Sequence, residues 1–305
     1  QLEVEADELG NMAVGYYSIM ESSLRSKSDF DEHHKKIAKI YENFSKISTT
    51  NSLAWNDKEY TYEEILNPSD KNPTLAFPYN KFHCTSWNVN QAAALIICSD
   101  EIADLLEVPE SKRVYPLASS ENNHMIATLQ RPNLSKSAGM NLAADFILDI
   151  CKKNNISPNL YDLYSCFPVA VEMFANSLDL KEFNNITVTG GMSFAGGPLN
   201  SYVLNSTVQM IEMIRKYMNV GIVTGVSGMM TKQSYALWST TSQLIPKFIA
   251  LSRALQLCLF TTKSEISISI IPSNEDLTND SKFVPLPDAI TPIFNFGVKP
   301  GICFV

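Results

Sequence analysis

The sequence predicts an α/β protein built on a layered sheet, and three observations predict it. The first is the stretch Asn185–Asn200, which opens with a β-branched run, Ile186-Thr187-Val188-Thr189. It breaks at Gly190-Gly191 and again at Gly196-Gly197-Pro198, before a helically spaced segment, Tyr202–Lys216, with Val203, Leu204, Val208, Ile211 and Ile214 apolar. The second is a repeat of this design immediately downstream, where Val220-Gly221-Ile222-Val223-Thr224-Gly225 is again β-branched and again breaks into glycines. The third is the alternation of strand-like and helix-like segments over residues 89–240. Strand, glycine loop and helix together bring bare backbone against a ligand at the carboxyl edge of a sheet. The alternative is that the glycines only mark turns.

Taken in order, Met12–Leu24 and Asp31–Ile47 read as helices, the second with Ile37, Ile40, Tyr41, Phe44 and Ile47 on one face. Residues 51–82 carry Pro68, Pro73 and Pro78 and read as an irregular excursion over the sheet. Ala92–Cys98 is a continuous small and branched apolar run, the pattern of a strand covered on both faces. A short helix at Glu101–Leu106 and a strand at Arg113–Ala118 follow, then an amphipathic helix, Ser137–Asn154. Leu160–Tyr164 reads as a strand and Val169–Leu180 as a helix. The strand ends after Tyr164, Thr189 and Thr224 are expected on one edge. Beyond residue 240 the chain changes character, with alternating Ile266, Ile268 and Ile270 and an acidic stretch near Glu275, which reads as a β-rich or irregular tail.

Composition narrows the function. A formal net charge of −8 on 305 residues, with no Lys/Arg stripe, argues against nucleic acid. The nearest basic cluster, His33-His34-Lys35-Lys36, is flanked by acids and reads as a solvated helix face, with both histidines at the surface. No apolar run reaches the roughly 18 residues of a membrane span. Six dispersed cysteines without a CxxC pair suit reduced thiols in a cytoplasmic setting; no zinc site or other metal is expected from them. An organellar address upstream of Gln1 would change that location.

Several motifs carry a resemblance. Asp162-Leu163-Tyr164-Ser165-Cys166-Phe167-Pro168, then Thr187–Tyr202 with its glycine pairs, then Gly221–Gly225, resemble the C-terminal half of the thiolase superfamily, in the acetyl-CoA acetyltransferase branch close to the sterol-carrier-protein thiolases. Ala6–Gly10, Glu42–Ser45, Ala54-Trp55, Phe77–Lys81 and Val89–Ala93 fit the same branch in the same order, so the resemblance spans roughly residues 6 to 240.

The resemblance implies a layered αβαβα fold, incomplete at its N-terminal side. Residues 1–112 would be the remainder of the N-terminal half with its coenzyme-A-binding loop region, 113–240 the C-terminal domain, and 241–305 an appended tail. It implies Claisen-type acyl transfer between coenzyme A thioesters in lipid metabolism, with coenzyme A or acyl-CoA as substrate and no permanently bound cofactor. The expected partner is a second copy or a thiolase-like subunit. The family's nucleophilic cysteine would lie upstream of this sequence. Gly197 stands where the family's catalytic histidine is expected, and Gly225 near its second cysteine; neither carries a titratable group. Tyr164 takes the position that helps hold the thioester oxygen. Cys166 is a catalytic candidate or a buried small hydrophobe. His124 is a displaced base or a solvent-facing loop residue. Ser86, Gly196, Gly197 and Gly225 are the expected ligand-binding positions. Asn200 and Tyr202, at a helix start, cap that helix or line the pocket, the cap being favoured. An incomplete acyltransferase and a non-catalytic acyl-CoA-binding or structural subunit both fit these substitutions.

Overall fold

The computed structural model describes residues 2–241, 247–251 and 302–304. Four helices lead: α1 (Glu3–Leu9), α2 (Ala13–Leu24), α3 (Phe30–Thr50) and α4 (Tyr62–Leu66). A small hairpin, β1 (Thr74–Ala76) and β2 (Tyr79–Asn80), ends the excursion; then come β3 (Ile97–Ser99) and α5 (Asp100–Leu105). The larger unit runs β4 (Tyr115–Asn123), α6 (Ala138–Lys153), β5 (Leu160–Asp162), α7 (Pro168–Ser177), α8 (Gly191–Phe194), α9 (Tyr202–Tyr217), β6 (Val220–Ser227), β7 (Lys232–Ser239) and β8 (Lys247–Leu251). A last strand, β9 (Ile302–Phe304), pairs antiparallel with β3. The rest of the tail beyond 241, including the Ile266–Ile270 alternation and the acidic stretch, lies outside the described residues.

Five strands form the main sheet in the order β5-β6-β7-β4-β8. β5 runs parallel to β6, and β4 parallel to β8, while β7 is antiparallel to both β6 and β4. The carboxyl ends of β4, β5 and β6 therefore share one edge. The strands divide their side chains between two cores. Ile222, Tyr235 and Leu237 face Met140, Ala143, Ala144 and Ile147 of α6 and Phe174 of α7. Val223, Ala236 and Trp238 face Met210, Ile211 and Ile214 of α9. Period-2 alternation along β7 makes it the wall between both layers. The architecture is a layered α/β one.

Helix ends follow local chemistry. The Asp29 side chain accepts from the amides of Asp31 (2.9 Å) and Glu32 (3.1 Å) and starts α3; the Ser137 hydroxyl accepts from Met140 N at 3.2 Å and starts α6. Along α3, Ile37, Tyr41, Phe44 and Ser48 recur at helical spacing and are buried. That face lies against α8 and the glycines before it.

One predicted strand is absent and another is shortened. Ile186–Thr189 is buried but irregular, for a reason given by Asp162 below. Of Ala92–Cys98 only Ile97 and Cys98 are in a strand, and the run is not covered on both faces: Ile96 is 68% exposed. An apolar run of this length does not name its partners, and among the described residues the strand beside it is β9. The strand expected to end at Ala118 continues to Asn123 because β7 pairs with it throughout.

Gly190 and Gly191 have φ of +99° and +75°, and a Cβ there would lie 2.5 Å from Ser48 Cα and 2.4 Å from Phe44 Cδ2. Left-handed backbone and contact with α3 act together. Gly190→Ala and Gly191→Ala should each lower the unfolding free energy by about 2–4 kcal/mol, summing strain and overpacking. Gly10→Ala, with φ +70° but nothing within 4 Å of the added Cβ, should cost about 1 kcal/mol. Urea titrations of the three variants check the ranking; equal losses would separate the effect from α3.

Candidate functional site

The site is organised around a carboxylate that is fully buried. Asp162 ends β5 at 0% exposure and accepts six hydrogen bonds. Its Oδ2 receives the amides of Val188 (2.9 Å) and Thr189 (3.0 Å) and the hydroxyls of Thr187 (3.0 Å) and Thr189 (2.9 Å). Its Oδ1 receives the Tyr202 hydroxyl at 2.9 Å and the Ser206 hydroxyl at 2.8 Å. Amides of 188 and 189 that would join a ladder are spent on this side chain, so the β-branched run does not become a strand. A single backbone bond joins the run to the end of β5, Leu163 N to Ile186 O at 3.0 Å. Tyr202 is thus neither a cap nor a pocket wall, and Asn200 is exposed; α9 starts at Ser201 without a side-chain cap.

Above this anchor, residues 85–86 thread between the end of β5 and the glycine loop. The Thr85 amide and hydroxyl both donate to Cys166 O, at 3.2 and 3.1 Å. Ser86 N donates to Met192 O at 3.0 Å, and Ser86 O accepts from Gly197 N at 2.9 Å. Met192 N in turn donates to Ser165 Oγ at 2.9 Å. The structure therefore brings together Ser86, Cys166 and Gly197. A Cβ on Gly197 would stand 2.3 Å from Thr85 Cγ2 and 2.9 Å from Met192 Cε, so the space beside Gly197 is filled. A Cβ on Gly196 would meet Gln91 Oε1 at 2.5 Å. Gly225 pairs with Ser234, whose Oγ is 2.7 Å from a Cβ built on the glycine.

The acid–base character around this segment is that of a dry interior. Burial pushes the Cys166 thiol up to about 12. Cys84 is also pushed up to about 12, first by burial and then by Cys166 beside it. A thiol in that range is protonated at neutral pH and a poor nucleophile. Burial likewise raises the Tyr164 phenol, which keeps its proton available for donation. Tyr164 holds its place through its amide, which donates to Thr224 Oγ1 at 2.8 Å, and an edge-on contact with Tyr202. His83, with no exposure, accepts from Asn80 N at 3.1 Å through Nδ1, and burial drives it down to about 3. It is neutral and a weak base.

His124 lies elsewhere. It follows the last residue of β4, and its amide donates to Thr231 O at 2.8 Å beside the β6–β7 turn. His33 is not at the surface: it is 7% exposed, with Nε2 at 2.6 Å from Glu21 Oε1. Helix α3 turns that flank inward against α2, which the flanking charges concealed. His34 is half-buried against Phe30 and His83. A cavity of about 650 Å³, between α2 and the start of α6, is lined by Arg131, Lys136 and Met140 among others. A smaller one of about 190 Å³ lies under Met125 and Gly228. None of the sequence-nominated site residues lines either cavity.

The fold can now be set beside solved ones. A monomeric SCP2-thiolase-like protein of type 1 from Mycobacterium smegmatis superimposes with a TM-score of 0.71 at 25% identity over 78% of this chain. The chain is placed in the thiolase-like superfamily. It spans about half of that structure, 54% of its length. An Ltp2–ChsH2(DUF35) aldolase shares the fold more distantly, with a TM-score of 0.54 at 12% identity, covering 79% of this chain and 68% of that one. No family model and no curated protein matches the sequence. No helix among the described residues of this thiolase-like chain is long and apolar enough to cross a membrane.

Ser86, Cys166 and Gly197, expected separately from the sequence, lie together here, whereas Asp162 was not among the expected residues. The signal was present: a lone acid inside Leu160–Tyr164, two threonines at 187 and 189, and Tyr202 and Ser206 one helical turn apart. Asp162→Asn removes the charge and offers amide hydrogens to at least two donors. It should cost about 3–5 kcal/mol of stability in urea unfolding, against about 1–3 kcal/mol for Ser206→Ala. Alkylation supplies a separate check on the thiols. With iodoacetamide at neutral pH, peptides containing Cys84 and Cys166 should stay unmodified in the native chain and be labelled in urea. Rapid native labelling of Cys166 would contradict its buried, protonated state.

Proposed function

We propose that this thiolase-like chain binds acyl-CoA and that its described residues do not carry a Claisen step by themselves. The observation that carries this reading is Gly197. The position lacks an imidazole, and Thr85 and Met192 fill the space one would enter. The nearby thiols cannot substitute, since Cys84 and Cys166 are held protonated. Acyl-CoA as ligand is supported by the likeness to an SCP2-thiolase-like protein and by the Tyr164 phenol, a hydrogen-bond donor for a thioester oxygen. Acyl transfer between CoA thioesters, with its place in lipid metabolism, requires on this reading a nucleophile and a base from another polypeptide segment. A second copy or a thiolase-like partner subunit is the natural source.

The test pairs binding with turnover. Calorimetric titration with acetyl-CoA should show one site per chain, while a thiolysis assay with acetoacetyl-CoA should show no rate above buffer. Tyr164→Phe should weaken acetyl-CoA by up to about tenfold, the worth of one hydrogen bond, and leave free CoA, which has no thioester oxygen, unchanged. Turnover by the chain alone would overturn the non-catalytic part, and absence of binding by either ligand would overturn the ligand class.

A further inference from the structure

Away from the glycine loop, three helices meet at a buried polar knot that the acyl-CoA reading leaves unused. Glu21 comes from the end of α2, His33 from the first turns of α3 and Glu172 from the middle of α7, and none exceeds 7% exposure. His33 Nε2 is 2.6 Å from Glu21 Oε1 and 3.6 Å from Glu172 Oε1. One donor atom from each residue lies within 4.8 Å of the other two. The outer oxygens are held from behind: Tyr79 OH donates to Glu21 Oε2 at 2.7 Å, and Lys36 Nζ to Glu172 Oε2. Such outer partners orient carboxylates toward a centre.

The inner side is not satisfied. Glu172 Oε1 is buried without a hydrogen-bond partner, and it faces the imidazole and Glu21. An unpaired buried carboxylate oxygen is costly.

We propose that Glu21, His33 and Glu172 bind one divalent first-row transition ion, with Zn²⁺ the best match. One imidazole and two carboxylates without sulfur are ligands for such an ion. Zinc–ligand distances of roughly 2.0–2.2 Å place tetrahedral donors about 3.3 Å apart, so Glu21 and His33 need only separate slightly while Glu172 closes in. Two carboxylates balance the dication, and Lys36 stays on the outer oxygen of Glu172. An ion here would tie α2 and α3 to α7, joining the leading helices to the sheet unit. The competing occupant is a proton, an imidazolium bridging the two carboxylates.

The full chain, stripped with chelator and desalted, is titrated with Zn²⁺ by calorimetry and with Co²⁺ by visible absorption. One Zn²⁺ per chain is expected, bound at least tenfold more weakly by His33→Gln and by Glu172→Gln. The Co²⁺ complex of the unmodified chain should show d–d bands without a sulfur charge-transfer band, a readout that needs no variant to fold. Zinc should raise the melting temperature of the unmodified chain and not of the variants. Absence of binding to the stripped chain would leave the proton as occupant and overturn the proposal. So would unchanged affinity in variants with native circular dichroism, or a sulfur band placing the ion on cysteines.

Discussion

The buried charge of Asp162 is the constraint on which the region around the glycine loop depends. Taking a carboxylate out of water costs several kcal/mol, and only a full set of donors offsets it. Here six donors come from two stretches of chain that are distant from β5 in sequence, residues 187–189 and the first turns of α9. The carboxylate thereby sets where the chain may turn. With residues 187–189 drawn onto Asp162, Gly190 and Gly191 fall under α3, and Tyr202 and Ser206 fix the face that α9 turns toward the sheet. An acid at a strand end thus does the work that backbone pairing would do in a longer strand.

The same geometry explains why glycines concentrate here. A glycine lets something approach the backbone closely, and the sequence cannot say whether that is ligand or protein. In this chain it is protein at each of the positions that matter: Ser48 and Phe44 at 190 and 191, Gln91 at 196, Thr85 and Met192 at 197. The glycine at 197 and the closure of residues 85–86 over it belong together, because a side chain there would clash with Thr85 and Met192. Any side chain at 197 would meet Thr85 Cγ2 at its first carbon.

Helices α2, α3, α6 and α9 were legible because spacing and caps are local signals, and α3 and α6 each announce themselves with an Asp or Ser before the first turn. Strand β6 was legible for its β-branched run. The failures concern what a run is next to. Ile186–Thr189 has the composition of a strand, but a side chain takes its amides. Ala92–Cys98 has the composition of a central strand, but Ile96 is exposed. His33 sits among charges like a surface residue, yet α2 and α7 close over it. The region around the glycine loop was half legible for the same reason: Cys166 and Gly197 lie in recognisable motifs, whereas Asp162 stands out only through its partners.

Two buried acidic centres in this chain differ in one respect that separates architecture from a binding site. Asp162 has both oxygens saturated by hydroxyls and amides, an arrangement with nothing left to gain from a ligand. Glu172 has one oxygen held by Lys36 and the other facing an imidazole and a second carboxylate without a hydrogen-bond partner. Fully satisfied polar networks rigidify an interior, while partly satisfied ones are costly as they stand. The knot also lies where the leading helices meet α7, beside apolar contacts such as Tyr17 stacked on Phe167. Apolar contacts tolerate sliding of one helix over another, whereas a centre with directional ligands from α2, α3 and α7 admits one register. If only rigidity were needed there, saturated hydroxyl and amide donors of the Asp162 kind would supply it; a deficit of one partner at the centre of three converging groups is the mark of a place kept for a cation.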